Sequence, residues 1–191
     1  MAKEISSDGD KARVLVEAAG LYLNNADATA AFFEAASSIK SDVDHRRVLT
    51  AVLQKDNLNR QTLLGIVGSA RNMSSDGDKA GFLIEAGHLY LKEAALSTAF
   101  FEAVSVIKSS GDRHRVLSSL LRRNKLDREN LLRVLKSASA ISSDGDKAEV
   151  FMEVAEAGAL DEVVRVAVRD AAKNIKSVGD RERVMAVLAH E

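Results

Sequence analysis

Arginine is the side chain through which this sequence offers most chemistry. Arg46 and Arg47 stand together, His114 and Arg115 recur 68 residues later, and Arg113, Arg122 and Arg123 surround that second pair. A guanidinium presents a planar fork of donors that matches carboxylates and phosphates. The seven residues are therefore the candidate partner-binding set. The residues set against them are acidic: Glu17, Glu85 and Glu153, one per 68 residues, with Glu34, Glu102 and Asp170 further along. Paired carboxylates do acid–base work only where burial drives their pKa values apart, and these read as solvated faces. The Asp-Gly-Asp triplets at 8–10, 76–78 and 144–146 cluster carboxylates as a hard cation would want. They lack the spacing and closing Glu of a calcium loop, and the same acids complement a helix N-terminus.

Other catalytic and ligand-binding patterns are missing. Gly65-Ile-Val-Gly68 lacks the Lys-Ser/Thr of a phosphate loop, no Gly-x-Ser-x-Gly elbow occurs, and no histidine stands at ligand spacing from another. The absence of cysteine removes disulfides, thiol chemistry and cysteine-based metal sites. The expectation is a non-enzyme with no cofactor and no metal. His88 and His114 read as surface residues. Tyr22, Tyr90 and the Phe-Phe pairs at 32–33 and 100–101 read as core, one ring of each pair toward its own hairpin and the other toward the next.

What positions these groups is a repeat. Ile5-Ser-Ser-Asp-Gly-Asp-Lys-Ala-Arg-Val-Leu15 begins again at Ile39, Met73, Ile107, Ile141 and Ile175, a step of 34 residues, and a fixed period in that range signals stacked units. Two columns never vary. One is serine (Ser7, Ser41, Ser75, Ser109, Ser143, Ser177) and the other, three residues on, aspartate (Asp10, Asp44, Asp78, Asp112, Asp146, Asp180). This is a capping box in its Asp form: the serine oxygen accepts from the N3 amide, and the N3 carboxylate is expected to return to the N-cap amide. It starts a helix A in each repeat. A helix B starts about nineteen residues on at Asn59 and Asp127, stapled by Leu58 with Leu63 and Leu126 with Leu131. Large residues (Phe32, Ile66, Phe100, Val134, Val168) and small ones four on (Ala36, Ala70, Val104, Ala138, Ala172) give helix B one buried face.

A single hairpin of this kind cannot bury both faces, so neighbours must stack. The expected fold is all-α: one α-solenoid over residues 1–191, a right-handed superhelix of hairpins 5–38, 39–72, 73–106, 107–140 and 141–174 with a terminal half-repeat 175–191. In period and helix pairing it resembles the HEAT and tetratricopeptide class, although the Trp, Leu-Gly, Tyr and Pro marks of the latter are missing. The wording Ile-x-Ser-Asp-x-Asp-Lys/Arg-x-x-Val-Leu is also similar to helical repeat segments of bacterial membrane metallopeptidases of the beta-lactam-sensor type. With no His-Glu-x-x-His present, no catalytic role follows from that resemblance. The unbroken register equally fits an engineered array.

Charge adds a second period. The overall net charge is −1, but the successive repeats carry −3, +3, −3, +6, −4 and 0. The underlying unit then reads as a 68-residue pair. A basic column follows the invariant aspartate: Lys11, His45, Lys79, Arg113, Lys147 and Arg181. Such a ladder could track a polyanion, but the adjacent acidic column favours pairing with the neighbouring repeat, at ~0–1 kcal/mol per surface pair. Together these features predict a protein-interaction scaffold holding a protein or peptide, acidic in character, on a concave surface, with repeat four most engaged. End-to-end self-association is the companion expectation. Alternating sign works against nucleic acid as the partner. No apolar run reaches the ~18 residues of a membrane span, and the start Met-Ala-Lys-Glu-Ile is no signal peptide, so the expected location is by default cytoplasmic. Ile5 opens on an ordinary repeat without a polar end, as a piece of a longer array would.

Overall fold

The computed structural model describes residues 5–22, 26–56, 58–158 and 161–189 of the chain, and of Tyr22 and Ala26 only the backbone. Among these residues the regular structure is helical. Five hairpins follow one another: α1 (Asp8–Tyr22) with α2 (Ala26–Ser37), α3 (Asp42–Leu53) with α4 (Arg60–Ala70), α5 (Asp76–Ala86) with α6 (Ala94–Ser105), α7 (Ser110–Arg123) with α8 (Arg128–Ser139), and α9 (Asp144–Ala157) with α10 (Glu162–Ala172). A last helix, α11 (Val178–Ala189), stands in the place of a further helix A. Odd-numbered helices pack on odd and even on even, so the chain is a solenoid of two layers, an A row and a B row. No helix among the described residues is long and apolar enough to cross a membrane.

The core lies between the rows and repeats with the sequence. Val48, Leu49 and Val52 on α3, Phe82 and Leu83 on α5, Val116 and Leu117 on α7, and Val150, Phe151 and Val154 on α9 are fully buried from the A side. From the B side come Ile66, Phe100, Val134 and Val168 with the small column Ala36, Ala70, Val104, Ala138 and Ala172. Phe100 lies 5.6 Å from Tyr90 of its own hairpin. The ring of Phe33 instead meets the next hairpin, where a Cβ on Gly65 would stand 2.3 Å from it. Gly65 therefore serves close helix packing. On α10 the columns that hold Leu131 and Leu135 on α8 hold Arg165 and Arg169, and Arg165 donates to the Leu188 carbonyl at 2.8 Å. That bond ties the last helix down.

Helix starts show where the expected capping box is altered. The serine half is present in every repeat: Ser7, Ser41, Ser75, Ser109, Ser143 and Ser177 accept from the amide three residues on at 3.1–3.4 Å. The return half is replaced. In hairpins two, three, four and the terminal helix the N-cap amide goes to the N1 carboxylate of the preceding repeat: Ser41 to Asp8 (2.9 Å), Ser75 to Asp42 (2.7 Å), Ser109 to Asp76 (2.8 Å) and Ser177 to Asp144 (2.8 Å). The residue before the cap donates to the same carboxylate in each case. Each N1 aspartate thus holds two backbone amides of the next hairpin. The N3 aspartates, relieved of that role, pair with arginines, as Asp10 with Arg13, Asp44 with Arg47 and Asp112 with Arg115.

The exception to the N1 ladder is Ser110, whose hydroxyl accepts from Ser143 N at 3.3 Å and contacts the Ser142 hydroxyl at 2.7 Å. A carboxylate there would restore charge-assisted bonds to the Ser142 and Ser143 amides. Ser110→Asp should therefore stabilise the chain by about 0.5–1.5 kcal/mol. An unchanged or lower urea midpoint would show that the ladder contributes nothing to stacking.

Candidate functional site

The basic column proves to be internal. Lys11, His45, Lys79, Arg113 and Lys147 are all at least nine-tenths buried. Neither expected role fits: the side chains do not face outward to a polyanion, and they do not pair with the acidic column of the neighbouring repeat. They plug the C-terminal ends of the B helices or hold the N1 acid of their own repeat. Lys11 donates to Ser38 (3.0 Å), and Arg181 to the Ile175 carbonyl (3.1 Å). Lys79 and Lys147 pair with Asp76 (3.5 Å) and Asp144 (3.3 Å). Arg113 reaches furthest, donating to Ser105 O (2.9 Å) at the end of α6, to Ile107 O, and to Ala140 O (3.1 Å) just after α8. Burial lowers its pKa while Asp76 opposes the shift. Cations at helix C-termini meet the negative ends of the helix dipoles, which is why a buried guanidinium is tolerated there.

His45 fills the same column without a permanent charge. It is 1% exposed and its Nε2 lies 2.8 Å from the Ser69 hydroxyl. Burial pushes its pKa below the ordinary imidazole value, and the attraction of Asp42 only partly offsets this. A depressed folded-state pKa means the unfolded chain takes up the proton first, so stability present above about pH 6.5 is lost as pH falls toward the folded value. His45→Gln should shrink the fall in urea midpoint between pH 7.5 and pH 5.5. An unchanged fall would place the titrating group elsewhere.

Of the sequence-predicted set, Arg46, Arg47, His114, Arg115, Arg122 and Arg123 lie on the A row, and Arg113 is turned into the core. Most of the exposed ones are engaged. Arg46 sits 4.0 Å from both Asp78 and Glu85 of the next hairpin, and a Cβ on Gly81 would stand 2.7 Å from its guanidinium. Arg122 reaches Glu153 at 2.6 Å, and Arg47 bonds Asp44 (3.3 Å) and the Gly9 carbonyl (3.1 Å). His114 is only 18% exposed and lies 3.5 Å from Asp146 and 3.3 Å from Glu149, so it is no plain surface residue. His88 is exposed. Arg123 is exposed, and no ion pair is seen for it among the described residues.

The direction of these pairs accounts for the alternating charge. Arg46–Asp78, Arg46–Glu85, Arg60–Glu93 and Arg71–Glu102 tie basic hairpin two to acidic hairpin three. His114–Asp146, His114–Glu149, Arg122–Glu153 and Arg128–Asp161 tie hairpin four to hairpin five in the same way. Surface pairs of this kind contribute little stability each.

A concavity lies on the other row, between α6 and α8. It encloses about 960 Å³ and includes Phe101, Leu132, Arg113, Lys136 and Ser137 in its lining. Ser105, Ser137 and Ala140 are too short to fill the space between the C-terminal halves of the two helices. Its acids are occupied, Glu102 by Arg71 at 3.3 Å and Glu129 by Arg133 at 2.7 Å, while Arg133 also spans the groove to Thr98 at 2.9 Å. Lys136 is exposed and has no ion pair among the described residues. Two buried polar atoms in this lining, Arg113 Nε and Ser137 Oγ, lack a hydrogen-bond partner. Sequence reading named Arg113 but assigned it to the arginine surface. It placed Phe101 in the core with Phe100 and did not single out Leu132 and Lys136, because a groove lined from two separate helices carries no local signal.

No cluster of His, Cys, Asp or Glu among the described residues is placed to hold a metal ion. Comparison with protein-family models, with curated proteins and with solved structures found no match.

Proposed function

We propose that this chain is a non-catalytic protein-interaction scaffold that holds a peptide segment of another protein in the groove between α6 and α8. The observation that supports the reading is the groove itself. A concavity of about 960 Å³ with an apolar Phe101–Leu132 surface and a few convergent polar groups is the kind of site that takes a ligand. Helical solenoids commonly use such extended surfaces for binding. Nucleic acid is less well served. A phosphate backbone on the A row would have to displace Glu85 and Glu153 from Arg46 and Arg122.

The test is selection of a displayed random-peptide library on the wild-type chain and on Leu132→Glu. Peptides recovered on the wild type should lose binding to Leu132→Glu while its melting curve is unchanged. Peptides indifferent to Leu132 but lost with Arg122→Glu and Arg123→Glu would move the site to the A row. Salt-dependent binding of DNA or RNA would favour the nucleic-acid reading instead. Recovery of no peptide at all would leave an array without a ligand, as an engineered stack would be.

A further inference from the structure

The groove between α6 and α8 carries information about its occupant as well as its place. Three cations line it, Arg113, Arg133 and Lys136, against two carboxylates, Glu102 and Glu129. Both carboxylates are already bonded to arginines, and Arg71, outside the lining, supplies the bond to Glu102. What remains uncommitted and open to the groove is the Lys136 ammonium, with the Ser137 hydroxyl and the Nε–H of Arg113 unpartnered but closed off from solvent behind it. Arg113 is 9% exposed, and its other two nitrogens are held by Ser105, Ile107 and Ala140 carbonyls, so the guanidinium is fixed in place. A fixed cation beneath the groove wall raises the local potential without being contacted, and a charged group gains most from it.

Resting on the scaffold reading above, we infer that the α6–α8 groove recognises a peptide segment bearing a carboxylate next to an apolar side chain. The apolar group lies against Phe101 and Leu132, and the carboxylate meets the exposed Lys136 ammonium, above Ser137 and Arg113, whose charge it senses without contact. A single acidic side chain suffices, because Lys136 is the one exposed cation of the lining without an ion pair among the described residues. The occupant is thus an acidic–apolar segment, not a polyanion.

Arg113 variants are unsuitable as a test because they strike at folding. The experiment is an NMR titration of the nitrogen-15-labelled chain with acetyl-Leu-Ala-Glu-amide and with its glutamine counterpart, following backbone amides and arginine Nε–H signals. The glutamate peptide should shift the Arg113 Nε–H and the Ser137 amide and bind about fivefold more tightly than the glutamine peptide at low salt. Lys136→Gln should remove most of that difference with the fold intact. Equal binding of both peptides at the groove would overturn the carboxylate assignment and leave the scaffold reading standing. Shifts confined to Arg122 and Arg123 would place acid recognition on the A row and refute the inference. If neither peptide moved any groove signal, the inference and the groove as a binding site would fall together.

Discussion

Replacing Arg113 with alanine should destabilise the chain by about 2–4 kcal/mol, the cost of leaving several partly buried carbonyls without a donor. Ser105 O, Ile107 O and Ala140 O all accept from this one guanidinium, and they lie at the C-terminal ends of two successive B helices. Their partial negative charges would then face one another with no cation between them. Arg113→Lys should recover much of the loss, since Lys79 and Lys147 fill the same column, though a point charge cannot reach all three oxygens at once. Arg115→Ala, removing a surface pair with Asp112, should cost no more than ~0.5 kcal/mol. Urea unfolding followed by circular dichroism separates these cases. Equal midpoints for the Arg113 and Arg115 variants would return Arg113 to the surface.

Asp76→Ala should cost about 2–3 kcal/mol, because two charge-assisted bonds to the next hairpin are lost together with a buried lysine's partner. The carboxylate accepts from Lys108 N and Ser109 N, each at 2.8 Å, and lies 3.5 Å from the buried Lys79 ammonium. Hydrogen exchange should localise the damage: the Lys108 and Ser109 amides lose protection, while Ser74 and Ser75, held by Asp42, keep theirs. The pH dependence carries the same signature. Burial alone would raise the Asp76 pKa, but the Ser109 and Lys108 amides and then Lys79 outweigh it, and the pKa lies below the ordinary carboxylate value. The stability it supplies is therefore present above about pH 4, the unfolded value, and is lost as pH falls through the lower folded one. Below that window the variant and the wild type should converge. A stability difference that persisted undiminished into strong acid would mean that the carboxylate's charge plays no part.

Local chemistry made much of this molecule legible from its residues. A serine followed three positions on by an aspartate recurs at every helix A start, so Ser41, Ser75, Ser109 and Ser143 marked their helices locally, as Asn59 and Asp127 did for α4 and α8. Helical spacing of Phe100 with Val104, or Val134 with Ala138, fixes a buried face by geometry alone. The charge alternation set basic hairpins beside acidic ones, and the Arg46–Glu85 and Arg122–Glu153 pairs run from basic to acidic hairpin.

Stacking decided what those local rules leave open. An N1 aspartate can complement its own helix dipole or accept from an amide 33 residues away, and only the packed array brings Ser41 N within 2.9 Å of Asp8. A long cation after the cap can reach water or fold back along its helix. Whether it does one or the other depends on what the neighbouring B helix presents, and for Arg113 that is a cluster of carbonyls. The α6–α8 groove has the same origin. Phe101 and Leu132 belong to different hairpins, each unremarkable in its own helix, and the space between them exists because Ser105, Ser137 and Ala140 are too short to close it once the two helices lie side by side.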